Sequence, residues 1–565
     1  MDYKQELSQL IAPAAGMDPG EVLSLIEIPT DETLGDFAFP CFKLARTFRK
    51  PPAAIAAEIA GALKLPAFIA ETKVVGAYIN FFLDRRQFIQ DTLAEVSRKG
   101  ASFGSADYGR GRTVCVDYSA INIAKPFHMG HLSSTVIGNS LCRIYEFLGY
   151  KAVGINHLGD WGTQFGKLIA AYKKWGDREE IERDSVNAML KLYVKFHDEA
   201  EKDETLNDEG RAWFKKIEDG YAEALEIFNW FKELTLKEAG VIYDMLGVKF
   251  DSYAGESFYN DKMQPVIDEL KSKNLLELSQ GAYVVRLDDF ELPPCIVLKS
   301  DGATLYATRD LAAAFYRKRT YDFAKCLYVV AYQQNLHFKQ LFKVIELMGY
   351  EWAKDLEHVA FGMVSLEDGT ISTRKGKVVF LKDVLDKAVE KTLSIIQEKS
   401  PGLENKEEVA KAVGVGAVVF DTLTAARIKD IVFSFDRVLN FDGETGPYVQ
   451  YTHARCASLL RRAEFDYKSE QKDFSALDNE EAFAAVKLLY SFPDAVRRAC
   501  EKNEPYLITR HIIELAKAMN KYYYEHRIIT EDTRQTAARL LLAECVKTVI
   551  KTGLSLIGVG APERM

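Results

Sequence analysis

The sequence has no long apolar stretch, few cysteines, and no repeated or low-complexity segment. No run approaches the ~18 uninterrupted apolar residues of a membrane-spanning helix. The start, Met1-Asp2-Tyr3, has neither the basic nor the apolar region of a secretory signal. The 8 cysteines are scattered and never form a CxxC pair, which argues against a zinc ribbon and a disulfide framework. These absences exclude membrane-spanning and disulfide-stabilised classes and lead us to expect a cytoplasmic protein.

What is present is the composition of a large globular protein. Hydrophobic residues make up 48% and charged residues 27% of the 565, which are ordinary values, and the length suggests roughly three to four domains. The net charge of −9 gives no overall basic footprint for nucleic acid. Basic runs occur locally at residues 374–377, 461–462 and 497–498. Each of them alone is typical of a solvated surface.

Residues 113–156 have the pattern of a βαβ unit. A β-branched and apolar run at 113–118 predicts a strand, and apolar positions spaced by three and four from His131 to Leu148 predict a helix that Gly149 ends. A second strand is predicted at 151–156. This order predicts a parallel sheet.

The rest of the chain is arranged around this unit. Residues 1–105 have the pattern of a small α/β module, residues 172–290 of a charged, mostly helical insertion, and residues after about 385 of long amphipathic helices without strands. Further strands are predicted at residues 77–83, 304–306, 327–330 and 361–364.

Two loops carry the residue types of a nucleotide site. Lys125 and the turn His128-Met129-Gly130-His131 stand between the first predicted strand and its helix, where free backbone N–H groups bind anions and a glycine admits a nucleotide. The second loop, Gly369-Thr370-Ile371-Ser372-Thr373-Arg374-Lys375-Gly376, has hydroxyls and cations suited to a pyrophosphate leaving group. HxGH signatures occur in synthetases and in nucleotidylyltransferases, and each loop alone could be an ordinary surface turn.

Eight blocks of the sequence resemble those of class I arginyl-tRNA synthetases, in the same order and across the whole chain. They are LGDFA at 34–38, YINF at 78–81, NIAKPFHMGH at 122–131, GDWGTQFG at 159–166, LYATRD at 305–310, QNLHF at 334–338, GPYVQYTHAR at 446–455 and ERM at 563–565. The resemblance implies an α/β fold with a Rossmann-like parallel-sheet catalytic domain, an α/β N-terminal appendage and an all-α C-terminal anticodon-binding bundle. The implied divisions are an elbow-binding domain at 1–105, the catalytic domain at 106–385, a helical stem at 386–445 and the anticodon-binding domain at 446–565.

The resemblance also implies roles for individual residues. The implied ATP-binding residues are His128, Gly130, His131, Met363 and Val364, and the implied catalytic residues are Lys125, His128, His131, Ser372, Arg374 and Lys375. The implied arginine-binding residues are Asp117, Asn122, Glu256, Tyr306, Asp310 and Gln334. The implied tRNA-binding residues are Tyr78, Asn80, Tyr448, Gln450, Arg455, Tyr523 and Met565.

Physical chemistry agrees with these roles without requiring each of them. The planar guanidinium, with five donors, calls for carboxylates and a hydroxyl at fixed angles, and exposed tyrosines stack on bases. Asp310 could instead be the N-terminal cap of a helix, Tyr306 could be sheet core, and most of Tyr522-Tyr523-Tyr524 could be helix core.

Three departures from the family pattern stand out. Ser119-Ala120-Ile121 replaces Ser-Ser-Pro, Asp117 replaces the common Glu, and Thr370 replaces the first lysine of the phosphate loop. Members of the family that lack this lysine keep one before HxGH, which here is Lys125.

The predicted activity is ATP-dependent charging of tRNA(Arg) with L-arginine through arginyl-adenylate. ATP with Mg²⁺ is the expected substrate complex, with no tightly bound cofactor, no metal site, no membrane and a monomeric chain. Two alternatives stay open at this point. A nucleotidylyltransferase would lack so large a helical region after the second loop, and a non-catalytic RNA-binding paralogue would have no need of Lys125, His128 and His131.

Overall fold

The computed structural model describes residues 3–29, 31–299, 306–366 and 379–565. The chain forms two compact units that are discontinuous in sequence. One unit comprises Met1–Phe103, Arg455–Phe492 and Glu514–Val549, and the other comprises Gly104–Ala454, Pro493–Ile513 and Ile550–Met565.

The described helices are spread over the whole chain. They are α1 (Tyr3–Ala15), α2 (Pro19–Leu25), α3 (Ala45–Phe48), α4 (Pro52–Ala62), α5 (Arg85–Lys99), α6 (Leu132–Phe147), α7 (Thr163–Trp175), α8 (Arg178–Ala200), α9 (Thr205–Glu218), α10 (Ala222–Leu246), α11 (Met263–Ser272), α12 (Tyr306–Tyr321), α13 (Asn335–Leu347), α14 (Leu381–Lys399), α15 (Lys406–Thr422), α16 (Phe435–Val438), α17 (Gly446–Arg461), α18 (Glu480–Lys502), α19 (Tyr506–Glu525) and α20 (Thr533–Leu556).

The described strands form four small sheets. They are β1 (Phe37–Pro40), β2 (Ile69–Val75), β3 (Tyr78–Leu83), β4 (Thr113–Asp117), β5 (Lys151–Ile155), β6 (Glu277–Ser279), β7 (Ala282–Val285), β8 (Cys295–Lys299), β9 (Lys325–Tyr328), β10 (Leu356–His358), β11 (Val364–Leu366) and β12 (Ile431–Phe433). The sheet orders are β1-β3-β2, β10-β9-β4-β5, β11-β12 and β6-β7-β8.

The parallel sheet that the βαβ pattern predicted is confirmed. Strand β4 pairs in parallel with β5 on one side and with β9 on the other, and β9 pairs in parallel with β10. The connections from β4 therefore leave in opposite directions, and ligands of open α/β sheets bind in the crevice at such a switch point, beyond the carboxyl ends of the strands. The turn 128–131 follows β4 at that end.

Three secondary-structure predictions need correction. Tyr306 begins helix α12 rather than ending a strand at 304–306, because the alanine-rich stretch that follows favours a helix; residues 304 and 305 lie outside the described residues. The insertion is helical through α8, α9 and α10, but the three antiparallel strands β6, β7 and β8 follow within 277–299. Strand β12 breaks the predicted all-helical region after 385. Strands β6 and β12 have 3 residues each, which is shorter than the roughly four to eight over which alternation is recognisable, and β7 and β8, with 4 and 5 residues, are at its lower end.

The first unit combines the N-terminal module with C-terminal helical segments. The ring of Tyr3 packs at 4.8 Å from that of Phe68 and at 5.7 Å from that of Tyr490, and the Tyr3 hydroxyl donates to Asp91 Oδ2 at 2.7 Å. Phe103 stacks on Phe492 with 6.4 Å between centroids. The N-terminal residues therefore share one core with helix α18.

Helices α7 and α9 approach so closely that Gly166 cannot carry a side chain. A Cβ there would lie 2.1 Å from the Gly210 carbonyl oxygen and 2.5 Å from the Phe214 nitrogen. We expect Gly166→Ala to cost about 1–3 kcal/mol through overpacking, seen as a lower midpoint of thermal unfolding. Gly240→Ala is the matched control, because a Cβ at this position of α10 meets nothing within 4 Å and alanine favours a helix by about 1 kcal/mol. Equal midpoints for the two variants would contradict this packing.

Candidate active site

The HxGH turn contains two neutral imidazoles. Each ring uses its Nδ1 atom, and not Nε2, for a hydrogen bond within the turn. His128 Nδ1 accepts from the Gly130 N–H at 3.0 Å, and His131 Nδ1 accepts from the His128 N–H at 3.2 Å. An imidazole nitrogen that accepts carries no proton, so these hydrogen bonds place the proton of each neutral ring on Nε2. A Cβ on Gly130 would lie 2.8 Å from the His128 ring, so glycine lets the turn close.

Burial keeps both histidines uncharged at neutral pH. Burial and the nearby Lys125 lower the pKa of His128, and burial together with His128 lowers the pKa of His131 to about 3. Burial also lowers the pKa of the Lys125 ammonium. The turn thus has two N–H donors and one cation on the same loop, which is the chemistry that phosphate oxygens require.

The loop before this turn is strained and is held by hydrogen bonds. Ser119, Ala120 and Ala124 have φ values of 71°, 49° and 58°, in a region that costs non-glycine residues of order 1–3 kcal/mol each. The Ser119 N–H donates to Ser134 Oγ at 2.9 Å, and the Ala124 N–H donates to Thr235 Oγ1 at 3.1 Å. The departure from Ser-Ser-Pro therefore coincides with a loop held from both flanks.

Helix α10 of the insertion supports two loops of the site, the one after β4 and the one after β5. Thr235 contacts the HxGH loop as described, and the Tyr243 hydroxyl lies 2.8 Å from Ser119 Oγ and accepts from Asn156 Nδ2 at 2.8 Å. Lys232 Nζ donates to Asp160 Oδ2 at 2.6 Å. The insertion is thus part of the framework of the site.

Two of the predicted arginine-binding carboxylates, Glu256 and Asp310, lie near each other, and their pKa values are shifted in opposite directions. Glu256 Oε2 lies 3.3 Å from Arg309 NH1. Burial, opposed by Arg309 and assisted by the charges of Asp310 and Asp160, raises the pKa of Glu256 to about 7. The pKa of Asp310 is lowered: burial works against its charge, but the hydrogen bond with His337 Nε2, 2.6 Å from Oδ2, and the charge of His157 outweigh it.

Asp117 is already paired inside the protein. Its Oδ2 lies 2.8 Å from Arg317 NH2, and the side chains of Asp117 and Arg317 are only 8% and 1% exposed. This ion pair uses one carboxylate oxygen, and the predicted contact of Asp117 with arginine stays a prediction.

The remaining predicted arginine-site residues differ in their exposure and in the contacts that hold them. Tyr306 is 70% exposed at the start of α12, so the alternative of a sheet-core tyrosine is wrong. Asn122 forms a β-bridge with Gly159, which fixes its backbone after β4. Gln334 is an exposed residue at the N-terminus of α13.

The structure describes the residues that precede the second predicted loop, up to residue 366. The Met363 N–H donates to Asp430 Oδ1 at 2.7 Å, and Val364 is buried at the start of β11. Ser372, Arg374 and Lys375, together with Thr370, lie outside the described residues.

The predicted tRNA-binding residues differ widely in exposure. Gln450 is fully buried and its Nε2 donates to the carbonyls of Ala412 and Gly560; its predicted contact with tRNA stays a prediction. Asn80 is 3% exposed in β3. Tyr78, Tyr448 and Met565 are half-buried.

The tyrosine run on α19 is more exposed than the sequence suggested, because only one of its three residues is core. Tyr522 is buried, Tyr523 is 37% exposed, and Tyr524 is 86% exposed. Arg455 lies over the Tyr523 ring at 4.9 Å. A contact of Tyr523 and Arg455 with tRNA stays a prediction, and Tyr524 offers the larger free aromatic surface.

Sequence reasoning missed several partners of the predicted residues. His337 and Asp160 stand in motifs that were singled out, QNLHF and GDWG, so a signal was present. Arg309 sits directly beside Asp310 in LYATRD. Arg317 and Lys232 come from helices with no recognisable motif and could be found only in three dimensions.

Neither a metal centre nor a membrane segment is found in the described parts of the chain. Within residues 3–29, 31–299, 306–366 and 379–565, no three His, Cys, Asp or Glu side chains cluster as a metal would need. The same residues contain no helix with the length and apolar character to cross a bilayer.

Comparison with known proteins assigns the fold and site to a class. Residues 94–435 match the family described as tRNA synthetases class I (R), catalytic domain. Residues 449–565 match the DALR anticodon binding domain, and residues 1–83 match the Arginyl tRNA synthetase N terminal domain. The fold and the HxGH crevice are therefore those of a class I aminoacyl-tRNA synthetase.

Full-length relatives narrow the class to one family. Proteins called arginine–tRNA ligase from Alkaliphilus metalliredigens (strain QYMF) and Halothermothrix orenii (strain H 168 / OCM 544 / DSM 9562) are 54% and 53% identical, with 100% of each chain covered. The solved structure of Thermus thermophilus arginyl-tRNA synthetase matches with a TM-score of 0.83 at 25% identity, covering 100% of both chains. The chain belongs to the arginine–tRNA ligase family.

The raised pKa of Glu256, about 7, predicts a pH dependence of arginine binding. A guanidinium binds the ionised carboxylate, so the arginine KM should fall as pH rises, by about tenfold between pH 6 and pH 8. The ATP KM should change less than the arginine KM, because burial lowers the pKa of His131 to about 3 and lowers that of His128. Aminoacylation at saturating tRNA measures both constants, and Glu256→Gln should flatten the arginine profile. A flat profile for the unmodified chain would contradict the role of Glu256.

Proposed function

We propose that this chain activates L-arginine with ATP and transfers the arginyl group to the 3′ end of tRNA(Arg). The observation that supports it most directly is the combination of a neutral, phosphate-suited HxGH turn with the carboxylates Glu256 and Asp310 beside the same sheet. In-line attack of the arginine carboxylate on the α-phosphate forms arginyl-adenylate and releases pyrophosphate. A terminal ribose hydroxyl of the tRNA then takes the arginyl group, and AMP leaves.

The arginine side of the reaction is a matter of charge and orientation. Asp310, held by His337 at 2.6 Å, provides a carboxylate that stays ionised, and Glu256 provides a second whose charge depends on pH. Tyr306 adds a hydroxyl. Asn122, Gln334 and Asp117 are proposed to orient the α-amino end.

The ATP side relies on donors arranged before the reaction begins. The Nε2–H groups of His128 and His131, whose Nδ1 atoms accept within the turn, would bind phosphate oxygens, while the Met363 and Val364 segment would border the adenine. Lys125 supplies a full positive charge, and Ser372, Arg374 and Lys375 are proposed to attend the leaving pyrophosphate. Most of the rate enhancement is positioning and electrostatic stabilisation.

Magnesium is proposed to arrive with ATP. Mg²⁺ is commonly bound through substrate phosphates and waters with only one or two protein carboxylates. The ion would neutralise triphosphate charge, and the residues named above orient the nucleotide.

The broader organisation follows the family pattern. We propose elbow binding by residues 1–105, catalysis by 106–385, a stem at 386–445 and anticodon binding by 446–565. The tRNA(Arg) contacts are proposed at Tyr78, Asn80, Tyr448, Arg455, Tyr523 and Met565. A monomer in the cytoplasm is proposed.

Lys125→Ala tests the phosphate side. Removing one preorganised stabiliser of developing charge costs about 10²–10³ in kcat, and we expect that loss in arginine-dependent ATP–pyrophosphate exchange with a nearly unchanged arginine KM. Lys262→Ala is the matched control, because the Lys262 ammonium bonds the Phe258 carbonyl and Asp261. Recovery in Lys125→Ala with Thr370→Lys would show that both positions reach the same phosphates. A folded Lys125→Ala enzyme with full exchange would refute the assignment.

A further inference from the structure

The carboxylate of Asp160, in the GDWG motif, is fully buried and has three donors. Ser257 donates its backbone N–H to Oδ1 at 2.8 Å and its hydroxyl to Oδ2 at 2.7 Å. Lys232 Nζ donates to Oδ2 at 2.6 Å, and the Asp160 side chain is 0% exposed. A side chain with no exposed surface does not touch a substrate, so any role of Asp160 in the reaction is exerted through its partners.

Two of those three donors belong to the residue that directly follows Glu256. The Glu256 N–H donates to the Leu158 carbonyl at 2.9 Å, two residues before Asp160. At Gly255, a Cβ would lie 2.6 Å from both Asp160 Oδ1 and the Leu158 carbonyl oxygen. The segment 255–257 is therefore pressed against the loop 158–160 at three consecutive residues, and this contact sets the direction in which the Glu256 side chain leaves the backbone.

The third donor connects this contact to the insertion. Lys232 lies on α10. Thr235 and Tyr243 of the same helix hold the loop after β4, at Ala124 and Ser119. Hydrogen bonds with a charged partner are about twice as strong as neutral ones, and their loss inside a protein leaves the other group unpaired at high cost. The backbone that anchors Glu256 is thus firmly held, while the Glu256 side chain keeps 16% of its surface exposed.

We propose that Asp160, with Ser257 and Lys232, is the positioning residue for the Glu256 carboxylate. The proposal rests on the proposed function, in which Glu256 receives the guanidinium of arginine. Binding of a planar fork of donors depends on carboxylate angle, so a loosened anchor weakens arginine recognition and leaves the ATP site, on another loop, unchanged.

The first experiment uses Ser257 in the full-length chain with tRNA(Arg). Ser257→Ala removes one hydrogen bond to the buried charge, and we expect about a tenfold rise in the arginine KM, with kcat and the ATP KM within about twofold of the unmodified values. Ser257→Thr keeps the hydroxyl and should restore the arginine KM. Ser272→Ala, whose hydroxyl donates to the Glu269 carbonyl, is the matched control. The proposal is overturned if kcat falls equally whether arginine or ATP is the varied substrate. It is also overturned if Ser257→Thr does not restore the arginine KM.

A double-mutant cycle with Glu256→Gln decides whether the effect passes through Glu256. If Asp160 and Ser257 act by holding that carboxylate, Ser257→Ala should add less than about twofold to the arginine KM once Glu256 is glutamine. Full additivity, with Glu256→Gln itself raising the arginine KM, overturns the positioning role and leaves the proposed function standing. An unchanged arginine KM in Glu256→Gln alone refutes the role of Glu256 in the proposed function and the inference with it.

Asp160→Asn gives an independent reading of the same anchor. An amide keeps one accepting oxygen but turns an NH₂ toward Lys232, so we expect a larger rise in the arginine KM than with Ser257→Ala, again without a change in the ATP KM. The thermal midpoint is measured in parallel. If Asp160→Asn does not fold, Ser257→Ala and its threonine rescue carry the test; a folded Asp160→Asn enzyme with an unchanged arginine KM overturns the proposal.

Discussion

Replacing Asp310 by asparagine is expected to lower kcat/KM for arginine by about 10²–10³, the scale for breaking a hydrogen-bonded charge pair in a buried site. The structure supplies the reason. His337 Nε2 lies 2.6 Å from one Asp310 oxygen, so an asparagine there would keep its oxygen toward His337 and turn its NH₂ toward the guanidinium. Two donors would then face each other where a carboxylate now accepts. Arginine-dependent aminoacylation measures the loss.

The control and the substrate analogues separate recognition from folding. Asp322→Asn makes the same chemical change just past the opposite end of α12, where the Asp322 side chain is 92% exposed, and should leave activity unaltered. A site built to hydrogen-bond its substrate rejects analogues that lack those groups by ~10⁴–10⁵, so citrulline and ornithine should be poor substrates and canavanine a fair one. An Asp310→Asn enzyme with unchanged arginine kinetics would show that the guanidinium binds elsewhere.

The HxGH crevice could be predicted from sequence because its determinants are local. The strand before it, the helix after it and the cap at Gly149 are written within residues 113–149, and β4, α6 and β5 match them. The resemblance supplied the residue roles, and the structure brings Glu256 and Asp310 into one neighbourhood. The fold class was therefore predictable in full.

The protonation states and the internal partners could not be predicted in this way. That Glu256 has a raised pKa and Asp310 a lowered one depends on Arg309, His337 and burial, which are set by tertiary packing. Asp117 could not be recognised as the partner of a buried arginine on α12. Strands of three residues such as β10 and β12 carry too little pattern to be recognised. The misplaced strand at Tyr306 reflects the same ambiguity for short apolar runs.

The C-terminal segments are tied into the catalytic unit, which affects how tRNA dependence can be tested. Ser140 on α6 donates to the Leu556 carbonyl, and the Arg143 guanidinium donates to the Ser555 carbonyl. Truncation before residue 446 would remove these contacts and the buried C-terminal apolar residues with them. Loss of activity in such a truncated chain would be explained by damage to the catalytic unit as readily as by loss of tRNA binding, so the intact chain is the material for the test.

The turn between α18 and α19 is connected by hydrogen bonds to the segment that precedes β11. Asn503 accepts from the Tyr145 hydroxyl at 2.9 Å and donates to Glu357 at 2.8 Å. Glu504 accepts from the Arg427 N–H at 3.2 Å, and the Arg427 carbonyl accepts from the Gly362 N–H at 2.8 Å. Gly362 precedes β11, which leads into the predicted phosphate loop. A shift of this turn would therefore act on the backbone at Gly362, just before β11.

We therefore expect arginine-dependent ATP–pyrophosphate exchange by the intact chain to be near background without tRNA and to appear fully when tRNA(Arg) is added. A site that is assembled in only a fraction of the free molecules has its apparent activity reduced by that fraction, and tRNA binding energy can stabilise the assembled state. Because this explanation makes tRNA an activator and not only an acceptor, tRNA(Arg) with an oxidised 3′ ribose, which accepts no arginine, should restore exchange as well as intact tRNA does. A tRNA of another specificity is the control and should restore little. Full exchange without any tRNA would contradict the population shift, because the site would then already be assembled in the free enzyme.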